Sequence, residues 1–547
     1  MVDVLTAKSR SYNMSRISSE KTVPENILKE LLVLENIKGF STHQKSIFGK
    51  PDFYFPKQKL AIFVDGCFWH GCGSCFKMPA TNTDFWNSKI SSNIARDRKV
   101  TKVLNKQAII SLRVPEHDIK KNPQKVLKNI KMKLQGNNHP KVLDLFAGGG
   151  GLSEGFIRAG YEIIGHIEMD KDSCDTLKTR MVYHALLKQG KYQEYINYIL
   201  GNISRDELID KYGLQKESNS VMCAEIDGKN YKELIDQVKK NLGGSDLDII
   251  VGGPPCQAYS HIGRARDDRR MRRDKRNYLY RYYVEFLKAL KPKLFVFENV
   301  PGILSAGGGR YLNDMKVLMR RAGYDVGHSI LNTVDFGVPQ SRKRIILIGW
   351  KKSLNKKYPA FSKIYREYTV KDFLYDLPKL KAGEGILVNK NFEPRNHLLK
   401  KLGIVDKKFN ILLDHVARPH NGRDLEIYRR AVTLKNAGKV IKYDELPNRL
   451  KTHKNEKAFL DRFKVVNGSS CGAHTVVAHI AKDGHYYIHP DLKQNRSLTV
   501  REAARLQTFS DDYKFEGSRS SQFRQIGNAV PPLFSHIIAK ELKSFII

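Results

Sequence analysis

Cys256 stands in the stretch GGPPCQAYS, residues 252–260. Proline fixes φ and glycine admits unusual backbone angles, so the approach to this thiol reads as a rigid turn. A thiol held there could be a nucleophile, a metal ligand or a small hydrophobe. A second pattern is FVDGCFWHGCGSCF, which packs Cys67, Cys72 and Cys75 into nine residues. With only seven cysteines in 547 residues, a disulfide framework is not expected. The cluster instead suits a tetrahedral zinc site, with His117 of VPEHD as the candidate fourth ligand. A third pattern is VLDLFAGGGGLSEGF, where Gly148, Gly149, Gly150 and Gly151 follow an apolar run. Glu168 lies nineteen residues after Gly149, the spacing at which a carboxylate meets ribose hydroxyls in nucleoside-binding folds. The G-x-G-x-x-G pyrophosphate pattern is absent, so a nucleoside cofactor without pyrophosphate fits better than a dinucleotide. Finally, Asp52 of GKPDFYF precedes a strand-like run ending at Asp65, an arrangement of carboxylates that can hold a divalent metal beside a phosphate.

These residues need elements to position them. The length implies two or three domains. A Lys-rich helical stretch near 121–134 runs into QGNNHP, and KVLDLF then opens a fresh strand, so a seam is expected near 135–140. Beyond it, KVLDLF, YEIIGHIE, LDIIVGG, LFVFENV and RIILIGW alternate with helical segments, which predicts a parallel sheet covered by helices. Residues 188–220 read as a polar insertion, and 352–495 as a separate small lobe. The formal net charge is +38, of which +13 falls before residue 139 and +25 after it. Both parts are therefore expected to touch a polyanion, and double-stranded DNA is the economical partner. No run of 18 or more apolar residues exists, and no signal-peptide core opens the chain, so no membrane partner is expected.

The order DLFAGGGG, GGPPCQAYS, FENV, QSRKR, RSLTVREAARLQTF and QIGNAVPP resembles the cytosine-5 DNA methyltransferases over roughly residues 140–547. The resemblance implies a Rossmann-like catalytic domain using S-adenosyl-L-methionine, spanning 140–351 and 496–547, with a target-recognition region at 352–495. It makes Cys256 the nucleophile, Glu298 the partner of the cytosine ring, and Arg342 and Arg344 the charges that balance the pocket. Phe146, Gly148, Gly149, Leu152 and Pro254 would line the cofactor pocket; Glu168 would take the ribose, with Asn528 and Val530 closing the site. AEID puts Glu225 before Ile226 where the family usually has Asp, with Asp227 close by as a second candidate for the adenine. The stretch GRARDDRRMRRDKR, eight basic residues against three acidic, would be a loop closing on phosphates around a flipped cytosine.

In the first 135 residues, RSYNMSRI, GKPDFYF, DGCFWHGC, ATNTDFW and NIARDR resemble the very-short-patch-repair (Vsr) mismatch endonucleases. That family nicks 5′ to the thymine of a T·G mismatch with magnesium, on a restriction-endonuclease-like α/β fold. Carried over, Asp52 would hold Mg2+, His70 would act as general acid or base oriented by Asp97, and Glu25 would support the site. Phe68, Trp69 and Trp86 would wedge into the base stack. Asp65 falls where some members carry histidine.

Deamination of 5-methylcytosine leaves thymine opposite guanine, so the two activities fit one chain. Two other readings are a methyltransferase with a non-cleaving zinc DNA-binding arm, and a single-chain restriction–modification enzyme. The expected setting is the bacterial or phage cytoplasm, at the nucleoid. The chain would act as a monomer, with mismatch-repair or restriction proteins as further partners.

Overall fold

A computed structural model of the chain describes residues 22–80, 82–107, 109–134, 139–255, 278–364, 368–406, 408–452 and 460–546. The chain divides into two compact units, Met1–His139 and Pro140–Ile547. Among the described residues, no helix is long and apolar enough to cross a membrane.

The first unit is built on a four-stranded sheet, β1 (Ser41–Thr42), β2 (Phe53–Phe55), β3 (Leu60–Asp65) and β4 (Ile110–Pro115), in that order. The first three strands are antiparallel, whereas β3 and β4 run parallel. A parallel pair needs a crossover. Here it carries the cysteine cluster and the long helix Thr83–Lys106. Alternation along β3 sends Leu60 and Ile62 to one face and Ala61 and Phe63 to the other. The first face packs on Leu28 and Leu32 of the helix Val23–Leu34 and on Val126, Leu127 and Ile130 of the helix Pro123–Leu134. The second packs on Val100 and Leu104 of the helix Thr83–Lys106.

The second unit has a seven-stranded sheet. Its strands are β5 (Lys141–Leu145), β6 (Glu162–Glu168), β7 (Val221–Cys223), β8 (Ile249–Gly252), β9 (Leu294–Asn299), β10 (Tyr324–Asn332) and β12 (Lys343–Lys351), in the order β10-β12-β9-β8-β5-β6-β7. β7, β6, β5, β8 and β9 are mutually parallel, and the β10–β12 hairpin adds antiparallel to β9. Both faces are buried. Val142, Ile249, Val251, Val296 and Ile346 pack into one core, and Leu143, Ile250, Phe295, Phe297 and Leu347 into the other. Strand order reverses direction at β5 and β8, and the crevice beyond their carboxyl ends is where such sheets bind ligands.

Two expectations about the surroundings change. The stretch 188–220 is not merely polar: the helices Tyr192–Ile199 and Arg205–Tyr212 bury Tyr195, Ile196, Ile199, Leu208 and Ile209 together with Phe409, Ile411 and Leu413. Nor is 352–495 one separate lobe. Tyr368, Val370, Phe373, Leu399, Ile404 and Val476 join the sheet's own core. Among the described residues, a larger core apart from the sheet forms between Ile427 and Ile488, where Tyr428, Tyr443, Leu450 and Phe463 pack together, and a small one joins Leu377, Phe392 and Leu412. Two short pairings complete this region, β11 (Gln340–Ser341) with β15 (Ala473–His474) and β13 (Gly385–Asn389) with β14 (Leu412–Val416).

Candidate active sites

In the second unit, β5 ends at Leu145 and the chain turns through Phe146 and Gly148, at φ 59° and 53°, and Gly150, at 77°, into the helix Gly151–Arg158. The turn is close-packed below: a β-carbon on Gly151 would stand 2.2 Å from the carbonyl oxygen of Val530. Above it, a β-carbon on Gly148 would meet nothing within 4 Å. Glu168 ends the neighbouring β6. One of its oxygens accepts from the Gly148 N–H at 2.8 Å and the other from the N–H groups of Met169 and Asp170, both at 2.9 Å. Burial raises this carboxyl's pKa, and the three backbone donors oppose the rise. An acceptor-only group with lone pairs to spare thus faces the open side of the glycine turn.

The glycines before Cys256 are accounted for by packing. A β-carbon on Gly252, at φ 132°, would lie 1.9 Å from the Leu145 carbonyl oxygen, and one on Gly253 would lie 1.9 Å from that of Glu298. The peptide therefore leaves β8 wedged between the ends of β5 and β9, and Asn299 Nδ2 donates to the Pro254 carbonyl at 3.1 Å. Cys256 itself and the basic stretch 263–276 lie outside the described residues. At the end of β9, Glu298 is half-buried and paired with Arg344 of β12, Nε to Oε1 at 2.6 Å. Register dictates that pairing: Glu298 lies opposite Ile346, so Arg344 is two residues along on the same face.

In the first unit, parallel pairing sets Asp65 of β3 beside Pro115 of β4. Two residues beyond these strand ends come Cys67, in the crossover turn, and His117, in the helix Glu116–Lys121. The Nδ1 of His117 lies 3.2 Å from Cys67 Sγ, 3.5 Å from Cys72 Sγ and 3.6 Å from Cys75 Sγ. Tetrahedral zinc with bonds of about 2.3 Å to sulfur and about 2.0 Å to nitrogen separates such donors by about 3.5 Å. The four expected ligands therefore fit one ion, and all four are drawn into one cluster.

Two further clusters flank the carboxyl end of β3. On one side, Asp52 accepts from the Val64 N–H at 2.7 Å, and Glu25, His43 and Asp52 converge. Burial pushes the Asp52 carboxyl up to about 6. On the other side, His70 Nδ1 meets Asp97 Oδ2 at 2.6 Å. Arg113 of β4 donates to Asp65 Oδ1 and Asp97 Oδ1, each at 2.8 Å. Asp65 is thus tied to Arg113, with its oxygen 3.8 Å from His70 Nδ1. Beside these clusters, Phe68 packs edge-on against Trp69 at 5.3 Å and Trp86 at 5.1 Å, and Phe85 joins Trp86 at 5.2 Å. Phe68, Trp69 and Trp86 are half-buried and Phe85 is 53% exposed, and none belongs to either core of this unit.

Residues 140–199 and 211–544 match the model of the C-5 cytosine-specific DNA methylases. The chain belongs to that family. Residues 2–77 match the model of the DNA mismatch endonuclease Vsr. The type II methyltransferase M.Bpa9945I of Bacillus paralicheniformis is 43% identical, over 74% of this chain and 99% of its own length. M.DdeI of Desulfomicrobium norvegicum is 33% identical, over 73% of this chain and 88% of its own, and M1.HphI of Haemophilus parahaemolyticus 31%, over 73% and 85%. About a quarter of this cytosine-5 methylase lies outside these matches.

Within the methylase unit, several side chains sit elsewhere than their expected roles require. Arg342 is 1% exposed and donates to the carbonyls of Val476, Gly527 and Asn528, so it ties the carboxyl-terminal segment to the sheet while Arg344 takes Glu298. Leu152 is buried in the sheet core, leaving the backbone of its turn, not its side chain, to face a ligand. Asp227 is held in its own turn by the N–H groups of Lys229 and Asn230, whereas Glu225 is exposed and Ile226 buried. Asn528 is exposed at the end of its helix and Val530 buried under the glycine turn. Sequence reasoning missed Arg113 and His43, whose strand registers alone bring them to the site.

Proposed function

We propose that this chain methylates carbon 5 of cytosine in a specific DNA sequence and nicks the T·G mismatch that deamination of the product creates. The observation that carries the first half is the Glu298–Arg344 pair at the end of β9, beside the peptide that delivers Cys256 and across from the glycine turn and Glu168. Cys256, as thiolate, adds to carbon 6 of an extruded cytosine and later leaves. Glu298, oriented by Arg344, holds ring nitrogen 3 as charge moves into the ring. Glu168, Phe146, Gly148, Gly149, Pro254 and Glu225 line the site of S-adenosylmethionine, which supplies the methyl group, while the buried Ile226 and Val530 support that site from the core. The region 352–495 reads the target, and its separate core at 427–488 is its most self-contained part.

The second half rests on the two clusters at the end of β3. Asp52 and Glu25 are a hard-oxygen donor set suited to magnesium, and they would hold it beside the scissile phosphate. His70, its Nδ1 engaged by Asp97, presents Nε2 as the proton-transferring atom. Zinc on Cys67, Cys72, Cys75 and His117 staples the turn that carries His70. Phe68, Trp69 and Trp86 enter the stack at the mismatch, where unstacking is cheap. The preformed His70–Asp97 pair favours cleavage over a passive DNA-binding arm.

The test combines two variants. Cys256→Ala should abolish methyl transfer to duplex DNA while T·G nicking persists. Asp52→Ala should do the reverse. Loss of both activities in either variant, or no T·G nicking by the wild type with magnesium or manganese, would overturn the assignment.

A further inference from the structure

The Glu25–His43–Asp52 cluster contains a nitrogen donor that the resemblance did not supply. His43 follows β1, whose Thr42 pairs with Phe53 of β2, so the next cross-strand position brings His43 to Asp52. The His43 N–H donates to the Asp52 carbonyl at 3.2 Å, and the residue adopts φ 49°, a left-handed conformation that histidine enters more readily than most side chains. Its side chain is turned inward. Nε2 lies 3.6 Å from Glu25 Oε2 and Nδ1 lies 4.0 Å from Asp52 Oδ1, with the three side chains only 20%, 8% and 18% exposed. One donor atom from each lies within 4.8 Å of the other two. Donors sharing an ion with bonds of about 2.1 Å stand about 3–3.4 Å apart, so the cluster has to close by about 1.5 Å at its widest, with one ring nitrogen of His43 turning to the shared ion.

We propose that His43 is a third ligand of the nuclease cation and that it makes this site favour a first-row transition ion over magnesium. The proposal rests on the reading of Asp52 as a metal ligand. Magnesium takes oxygen ligands and sheds water reluctantly, whereas imidazole nitrogen adds affinity for softer divalent ions. A site of two carboxylates and one imidazole therefore accepts Mn2+ more readily than Mg2+. The consequence for the enzyme is a nuclease whose activity follows the supply of transition metal, while methyl transfer does not.

The experiment uses the full-length, zinc-loaded protein. Mn2+ is titrated in and its free fraction followed by electron paramagnetic resonance, with Mg2+ as competitor, for the wild type, Asp52→Ala and His43→Asn. Asparagine tolerates left-handed backbone, so His43→Asn removes the imidazole without opposing the turn. His43→Gln serves as a second variant, and zinc content and the melting curve report folding. The expected result is one Asp52-dependent Mn2+ site, at least about tenfold tighter than for Mg2+, a preference that falls about tenfold in His43→Asn with Mg2+ binding changed less than about twofold. Equal Mn2+ affinity in wild type and both His43 variants, at a site lost in Asp52→Ala, would overturn the role of His43 and leave the nuclease reading standing. Failure of the wild type to show any Asp52-dependent cation would overturn both.

Discussion

At the scale of the residue, both candidate sites hold their charges in pairs. Glu298 loses its negative charge but keeps its shape in Glu298→Gln, and methyl transfer should fall by about 10²–10⁴ with cofactor binding retained. Wild-type turnover by this variant, measured with labelled cofactor, would remove Glu298 from the mechanism. Arg113 bridges Asp65 and Asp97, so Arg113→Gln leaves two carboxylates crowding His70. Nicking should fall about 10²-fold through misplacement of the ring, and Asp65→Asn in the same chain should restore part of it. No loss in Arg113→Gln, or no recovery in the double variant, would show that the bridge does not position His70. Neither Arg113 nor Asp65's partnership was legible from the sequence, because ISLRVP gives no sign of which strand lies alongside. Asp144 offers a third prediction, on stability. It is fully buried in β5, and burial pushes its carboxyl from 3.8 up to about 8. The folded state therefore binds a proton that the unfolded state has released. Its contribution is fully present below pH 3.8 and is lost as pH rises towards about 8. Asp144→Asn mimics the protonated acid and should raise the melting temperature of the methylase unit at pH 8 but not at pH 4. Equal shifts at both values would contradict the assignment.

At the scale of the element, strand ends position Asp65, Glu168, Glu298 and the peptide after Gly252, while helices supply Glu25 and Asp97. Gly252 and Gly253 lie so close to the backbones of β5 and β9 that any β-carbon collides with a carbonyl oxygen. Gly253→Ala should therefore displace the Cys256 peptide, cutting methyl transfer sharply and costing about 2–4 kcal/mol of stability in denaturant titration. Unchanged activity and stability would mean the close approach does not exist in solution. Packing accounts for the glycines of GGPPC: they let the peptide pass between the ends of two strands. Alternating apolar runs made the parallel sheet legible, since strands buried on both faces read as continuous hydrophobic segments. The insertion at 188–220 and the region 352–495 were less legible. Their apolar residues, such as Tyr195, Phe409 and Leu413, find partners far away in sequence, and local periodicity carries no trace of that. The cysteine cluster shows the opposite case. Cys67, Cys72, Cys75 and His117 were readable from residue type as a candidate ligand set, and the parallel β3–β4 register explains how His117 comes to the three cysteines. Removing zinc with a chelator should lower the first unit's melting transition and stop nicking while methyl transfer continues. Nicking that survives complete zinc loss would make the cluster dispensable.

At the scale of the whole molecule, two basic units, net +13 and +25, each carry their own candidate chemistry on DNA. M.Bpa9945I matches over 99% of its length, M.DdeI over 88% and M1.HphI over 85%, each across about three quarters of this chain, and the methylase match begins at residue 140, after the first unit. The central claim is that the first unit repairs what the methylase makes mutable. The direct test is to map both specificities of the intact protein. Methylated cytosines are located in a randomised duplex library, and magnesium- or manganese-dependent nicks are located in a library carrying one T·G pair in random flanks. The account predicts nicks just 5′ of the mismatched thymine, in flanks that match the methylation site with thymine in place of the modified cytosine. Nicking in flanks unrelated to the methylation site, or on unmodified duplexes without a mismatch, would contradict it.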